Sequence, residues 1–217
     1  MKDTNQNQEV LRCQLYLISP PKFEVQGFSA NLIAALATRH VSCFQLRLKG
    51  ADDGDILNTA KALLPICRDY EVPFILNDRP DLAAQLEVEG THVGQDDMNY
   101  KDARRWLGNE AIVGMSCYDS THMAMVAAES GADYVAFGAF FPTTTKRPKT
   151  QATPQLLSSW QQTMTVPCVA IGGITVHNCP LLIKAGADFL AVVSGVWDHP
   201  DGASTAVHHF NNLCLRS

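Results

Sequence analysis

Apolar runs of strand length recur eight times along the chain, each followed by a turn and then a helix-like stretch. The runs are LYLISP (15–20), SCFQLRLK (42–49), PFILND (73–78), THVG (91–94), IVGMSC (112–117), YVAFGAF (134–140), CVAIGG (168–173) and FLAVVSGV (189–196). Helices are expected at 28–38, 52–70, 81–87, 101–107 and 122–130, with further candidates after the last three runs. Strands that are apolar along their whole length suit a parallel sheet covered on both faces. Eight such units within 217 residues predict one α/β domain, a single (β/α)8 TIM barrel over 11–217, with 1–10 as a polar tail. A doubly wound open sheet is the alternative. Its phosphate fingerprint belongs after the first strand, whereas here that strand ends in Ser19-Pro20-Pro21.

Charge narrows the function classes. The 17 basic residues face 22 acidic ones, a net charge of −5 that argues against broad nucleic-acid binding and leaves room for local phosphate pockets. The N-terminal stretch MKDTNQNQEV lacks the apolar core of a signal peptide, and no apolar run reaches membrane-spanning length, so a cytoplasmic protein is expected. The seven cysteines are dispersed and form no CxxC pair, which predicts buried reduced thiols. Cys117, near a strand end, is a candidate nucleophile only if a base lies nearby.

Carboxylates gather at the ends of the third and fourth runs, at Asn77-Asp78 and Gln95-Asp96-Asp97. On adjacent barrel strands they would meet at one rim and could hold a hard cation such as Mg²⁺, which takes one or two protein carboxylates and fills its other positions with water and substrate phosphates. Asn-Asp before Arg79-Pro80 is also a good turn and helix-cap sequence, and both readings stand. In QLRLK, Gln45, Arg47 and Lys49 share one strand face while Leu46 and Leu48 share the other. An interior Arg and Lys at the rim calls for an anion, a diphosphate being a good candidate, or for an ion pair with Asp78 or Asp97. PTTTK (142–146) opens a polar loop that could bind phosphate and act as a lid, with Lys146 neutralising a leaving group.

Glycines at Gly172-Gly173 and Gly195 would let a ligand approach the backbone, and loops after the seventh and eighth strands of such barrels commonly hold phosphate. The two Gly-Ala-Asp repeats, GADYVAFGAFF and GADFLAVVSGV, read as structural turns. His177, His199, His208 and His209 show no metal-ligand spacing, and His92, beside the acidic turn, reads as a packed structural imidazole.

Together QLRLK, ILNDRPDLA, HVGQDD, GMSCYDS, FGAFFPTTTK, AIGGI and AVVSGVW resemble the thiamine-phosphate synthase family, in that family's order, over residues 15–197. The resemblance implies a barrel enzyme that joins hydroxymethylpyrimidine diphosphate to thiazole phosphate with Mg²⁺, releasing diphosphate. It implies that Asp78 and Asp97 hold Mg²⁺, with Asp96 as the alternative to Asp97. Gln45, Arg47, Lys49, Asn77, Ser116 and Lys146 would bind the pyrimidine diphosphate, with Arg47, Lys49 and Lys146 assisting its departure. Thr143, Thr145, Gly173, Val193 and Ser194 would take the thiazole phosphate. The expected partners are thus two small molecules, with a homo-oligomer left open.

Two departures from the family pattern stand out. Leu48 replaces a usual Glu, at a position that alternates away from the site. Tyr118 replaces a frequent His, the residue that the similar thiazole tautomerases use for proton transfer. A tautomerase, or a barrel that binds thiazole or thiamine phosphate without catalysis, remains the alternative function.

Overall fold

The eight runs fold as parallel strands that close into a barrel: β1 (Gln14–Ile18), β2 (Val41–Leu46), β3 (Phe74–Asn77), β4 (Gly90–Val93), β5 (Ile112–Tyr118), β6 (Tyr134–Gly138), β7 (Cys168–Ile171) and β8 (Phe189–Val192). In this computed structural model the described residues are 13–94, 100–143 and 150–215. Closure is explicit in the register, where Leu15 of β1 lies opposite Leu190 and Leu17 opposite Val192 of β8. The open-sheet alternative is thereby excluded.

Helices alternate with the strands: α1 (Val25–Leu36), α2 (Asp53–Asp69), α3 (Pro80–Leu86), α4 (Tyr100–Leu107), α5 (Thr121–Glu129), α6 (Pro154–Thr163) and α7 (Cys179–Lys184), then a single turn α8 (Ser194–Trp197) and the long α9 (Gly202–Leu215). Local chemistry sets several starts. The Asp52 carboxylate accepts the Asp55 N–H at 2.8 Å and the Ser120 hydroxyl accepts the Met123 N–H at 3.2 Å, while Pro80 and Pro154 open α3 and α6 without forfeiting a helical hydrogen bond.

The period of two sorts the side chains. Tyr16, Ile18, Cys43, Ile75, Tyr134, Ala136, Val169 and Ala191 pack together inside the barrel. Their alternates, such as Leu17, Phe44, Leu46, Phe74, Leu76, Phe137 and Leu190, face the helices in the larger core. Tyr134 is wide enough to cross the interior only because its neighbour is Gly114, where a Cβ would collide with the Tyr134 ring.

Two expectations about strand ends change. The last run does not continue to residue 196: Val193 leaves the extended region (φ −116°, ψ −92°), and Ser194 begins α8. Likewise β2 ends at Leu46, so Arg47 and Lys49 lie beyond the ladder. The alternation persists even so, since Leu48 packs against the outer core.

The Gly-Ala-Asp repeats do what the sequence suggests. Gly131 and Gly186 adopt left-handed φ of 97° and 98° where α5 and α7 end. The following Asp133 and Asp188 carboxylates then accept the N–H groups of Val113 and Cys168 at 2.7 and 2.8 Å, and Glu89 does the same for Phe74 at 2.9 Å. Each stitches the start of one strand to the segment entering the next.

All seven cysteines are buried and unbridged. Burial pushes the Cys117 thiol up to about 12, and Cys117 belongs to the outer core, so it offers no thiolate nucleophile. Among the described residues, no helix is long and apolar enough to cross a membrane.

Candidate active site

At the C-terminal ends of the strands lies a cavity of about 170 Å³. Every sequence-proposed site residue that falls within the described residues lines it: Gln45, Arg47, Lys49, Asn77, Asp78, Ser116, Thr143, Gly173, Val193 and Ser194. Asp97 and its alternative Asp96, together with Thr145 and Lys146, lie outside the described residues, as do Arg147 and Lys149.

The mouth is charged. Asp78 follows β3 in the left-handed region (φ 63°), a conformation that Asp tolerates better than most residues. Its N–H donates to the His92 carbonyl at 2.8 Å, and its carboxylate meets Lys49 Nζ at 3.1 Å. The ion pair considered for QLRLK therefore forms, with Asp78 as the acid. The helix-cap reading of Asn77-Asp78 does not hold, because the N-cap of α3 falls on Arg79 and receives no side-chain cap. Arg79 pairs instead with Asp53 and Asp81, which holds both carboxyls below their ordinary range.

Backbone contacts fix the walls. Ser19 N–H donates to the Gln45 carbonyl at 2.9 Å, and its hydroxyl accepts the Arg47 N–H at 2.9 Å and donates to the Arg47 carbonyl at 3.3 Å. The chain is thereby held extended past the end of β2, so Gln45 and Arg47 keep facing the cavity. Across the barrel, Gly173 (φ 64°) lies under the loop that follows β6, and a Cβ there would collide with the Pro142 carbonyl oxygen. A Cβ on Gly172 would strike Ala139, and one on Gly195 the Ile174 carbonyl oxygen. The glycines are thus required by backbone packed on backbone, a reason distinct from the ligand approach suggested by the sequence. Asn178 donates to the Gly173 carbonyl at 2.9 Å, and the Trp197 indole donates to the Ile18 carbonyl at 2.6 Å, which steadies α8 and Ser194.

The floor is polar and largely buried. Gln45 Nε2 donates to the Tyr16 hydroxyl at 2.7 Å, which lies 2.8 Å from the Tyr134 hydroxyl. The Tyr134 hydroxyl is 3.0 Å from His92 Nδ1, and His92 Nε2 is 2.8 Å from Ser116 Oγ. Burial pushes both phenols well up, so each stays protonated at neutral pH. His92 is packed, stacked on Tyr134 with ring centroids 5.6 Å apart, yet it also faces the cavity. Tyr16, Ser19 and Tyr134 escaped the sequence reading. The available signal was a hydroxyl in an otherwise apolar strand, which must find a partner when buried.

The model of one protein family, described as thiamine monophosphate synthase, matches residues 15–196. The chain belongs to that family. Its similarity to individual members of the thiamine monophosphate synthase family is extensive. It is 59% identical to the thiamine-phosphate synthase of Rhodospirillum centenum over 201 residues, covering 93% of this chain and 97% of the relative. It is 48% identical to that of Hyphomonas neptunium over 218 residues, covering 98% of each. Among solved structures, the thiamine phosphate pyrophosphorylase of Pyrococcus furiosus superposes with a TM-score of 0.81 at 27% identity, covering 95% of this chain and 98% of that one.

Proposed function

We propose that the chain is a thiamine-phosphate synthase that joins hydroxymethylpyrimidine diphosphate to hydroxyethylthiazole phosphate, giving thiamine phosphate and diphosphate. The reading implies a cytoplasmic enzyme whose partners are these small molecules. The observation that carries it is the division of one cavity: Arg47, Lys49 and Asp78 on one side, Gly173, Val193 and Ser194 on another, and a polar floor below.

The reaction forms a carbon–nitrogen bond from the thiazole nitrogen lone pair to the pyrimidine methylene carbon. The carbon–oxygen bond to diphosphate breaks, and its electron pair leaves with the diphosphate. The attacking nitrogen carries no proton, so no general base is required. The protein's tasks are to offset charge on the leaving group and to hold the nitrogen in line. Arg47, Lys49 and Lys146 are assigned to the first task. Gln45, Asn77 and Ser116 would hold the pyrimidine diphosphate, while Thr143, Thr145, Gly173, Val193 and Ser194 would hold the thiazole phosphate.

Asp78 is a hard-oxygen donor at the rim, which suits Mg²⁺. With Asp97 it would hold the ion, and bound Mg²⁺ would supply further charge neutralisation at the diphosphate. The tautomerase alternative needs a proton-transferring histidine where Tyr118 lines the cavity.

The test is incubation of the purified chain with both phosphorylated halves and Mg²⁺. Thiamine phosphate and diphosphate should appear in equal amounts and fall to background with chelator. Active substrates that yield no product would overturn the reading.

A further inference from the structure

The parallel ladder between β1 and β2 runs as far as the Ser19 N–H, which donates to the Gln45 carbonyl at 2.9 Å. Its next two bonds would take the Arg47 N–H to the Ser19 carbonyl and the N–H of residue 21 to the Arg47 carbonyl. The second cannot form, because residue 21 is proline and has no N–H. The Ser19 hydroxyl serves both ends of Arg47 instead: it accepts the Arg47 N–H at 2.9 Å and donates to the Arg47 carbonyl at 3.3 Å. One side chain thus carries the ladder past the place where Pro20-Pro21 leads the chain away from β2.

The support is itself well anchored. Ser19 is buried, and the carbonyl of the preceding Ile18 accepts the Trp197 indole N–H at 2.6 Å. Arg47 lies beyond the last residue of β2 and lines the cavity, so its main chain depends on a side chain of the neighbouring strand where a ladder would otherwise hold it. We propose that Ser19 is a positioning residue for Arg47, fixing the Arg47 main chain at the rim so that the guanidinium meets an anion arriving in the cavity. The identity of that anion as a diphosphate rests on the synthase reading above, whereas the link between Ser19 and Arg47 does not. An arginine whose backbone is ordered before its ligand arrives loses less freedom on binding, and a small displacement of a group that offsets leaving-group charge slows the reaction far more than the lost contact alone would suggest.

Ser19→Ala removes both bonds to the Arg47 main chain and leaves Arg47 itself in place. The expected result is a roughly tenfold fall in kcat/KM for the pyrimidine diphosphate, with KM for the thiazole phosphate unchanged. Ser19→Thr, which keeps a hydroxyl at the same atom, should recover most of the loss. In an Arg47→Ala background the Ser19→Ala change should cost less than about twofold more, since no guanidinium remains to be aimed. Equal losses toward both substrates would overturn the proposal. So would a Ser19→Ala loss that persists in full without Arg47, because Ser19 would then be meeting the substrate itself.

Two further measurements need no turnover. Inorganic diphosphate with Mg²⁺, titrated calorimetrically into wild type and Ser19→Ala, should bind more weakly to the variant, and an unchanged affinity would overturn the proposal. Weakened diphosphate binding in a chain that makes no thiamine phosphate would leave the role of Ser19 standing while the synthase reading fell. Should Ser19→Ala fail to fold, hydrogen exchange of the wild-type chain without substrates decides. The Arg47 amide should exchange at least about tenfold more slowly than an unstructured amide, and exchange as fast as an unstructured one would overturn the proposal.

Discussion

At the N-terminal rim of the barrel, the carboxylates of Glu89, Asp133 and Asp188 accept strand N–H groups at 2.9, 2.7 and 2.8 Å. At the C-terminal rim, Asp78 faces the cavity with the half-exposed Lys49 ammonium 3.1 Å away. The residue type is similar and the consequence opposite. A carboxylate bonded to a backbone N–H is fixed by the strand geometry and contributes roughly 1.5–3 kcal/mol as a charged hydrogen bond. One paired with a flexible exposed lysine gains at most about 1 kcal/mol. It can exchange that partner for a cation or allow the lysine to turn to an arriving phosphate. The same acid thus stabilises at one end of the strand and remains available at the other.

Four measurements test this contrast. The largest effect is expected from Asp78→Ala, which should lower Mg²⁺-dependent kcat by roughly 100-fold or more while the unfolding midpoint in urea stays close to wild type. Wild-type turnover would remove Asp78 from the reacting centre. Asp188→Ala should behave in the reverse manner, costing about 1–3 kcal/mol in urea unfolding with both KM values intact. A kinetic defect in a fully stable variant would blur the division between the rims.

Ser194→Ala tests the far wall and should raise KM for thiazole phosphate by roughly tenfold, leaving the pyrimidine KM alone. The smallest effect concerns Arg79, whose pairing depresses the Asp81 carboxyl below its ordinary 3.8. A depressed folded value means that the stabilisation is complete above the unfolded value and is lost as pH falls through the folded one. The stability difference between wild type and Arg79→Ala should therefore be constant near neutrality, below about 1 kcal/mol, and close under acid. A gap that widens under acid would contradict the pairing.

Much of the scaffold was legible because a βα repeat states its own topology and a period of two states which side faces in. That is how the alternation in QLRLK points Gln45, Arg47 and Lys49 to the cavity and Leu48 to the helices. Strand ends were less legible: Val193 turns the chain out of β8 in a run as apolar as the strand itself. The floor was the hardest part to read. Tyr16 and Tyr134 stand 118 positions apart and meet only when the barrel closes, and an aromatic residue in an apolar strand gives no hint of what its hydroxyl will find. Glycine was legible only in part, since Gly172 and Gly173 signalled a close approach without saying that the segment after β6 packs on them.

The Tyr134 ring packed against Gly114 has a further consequence for traffic. Together with its neighbours in the barrel interior, it fills the space beneath the cavity among the described residues. In the proposed reaction both substrates would enter, and the joined product would leave, at the rim formed by the C-terminal ends of the strands. A ligand group seated on that floor thus meets side chains and not water on its inner side.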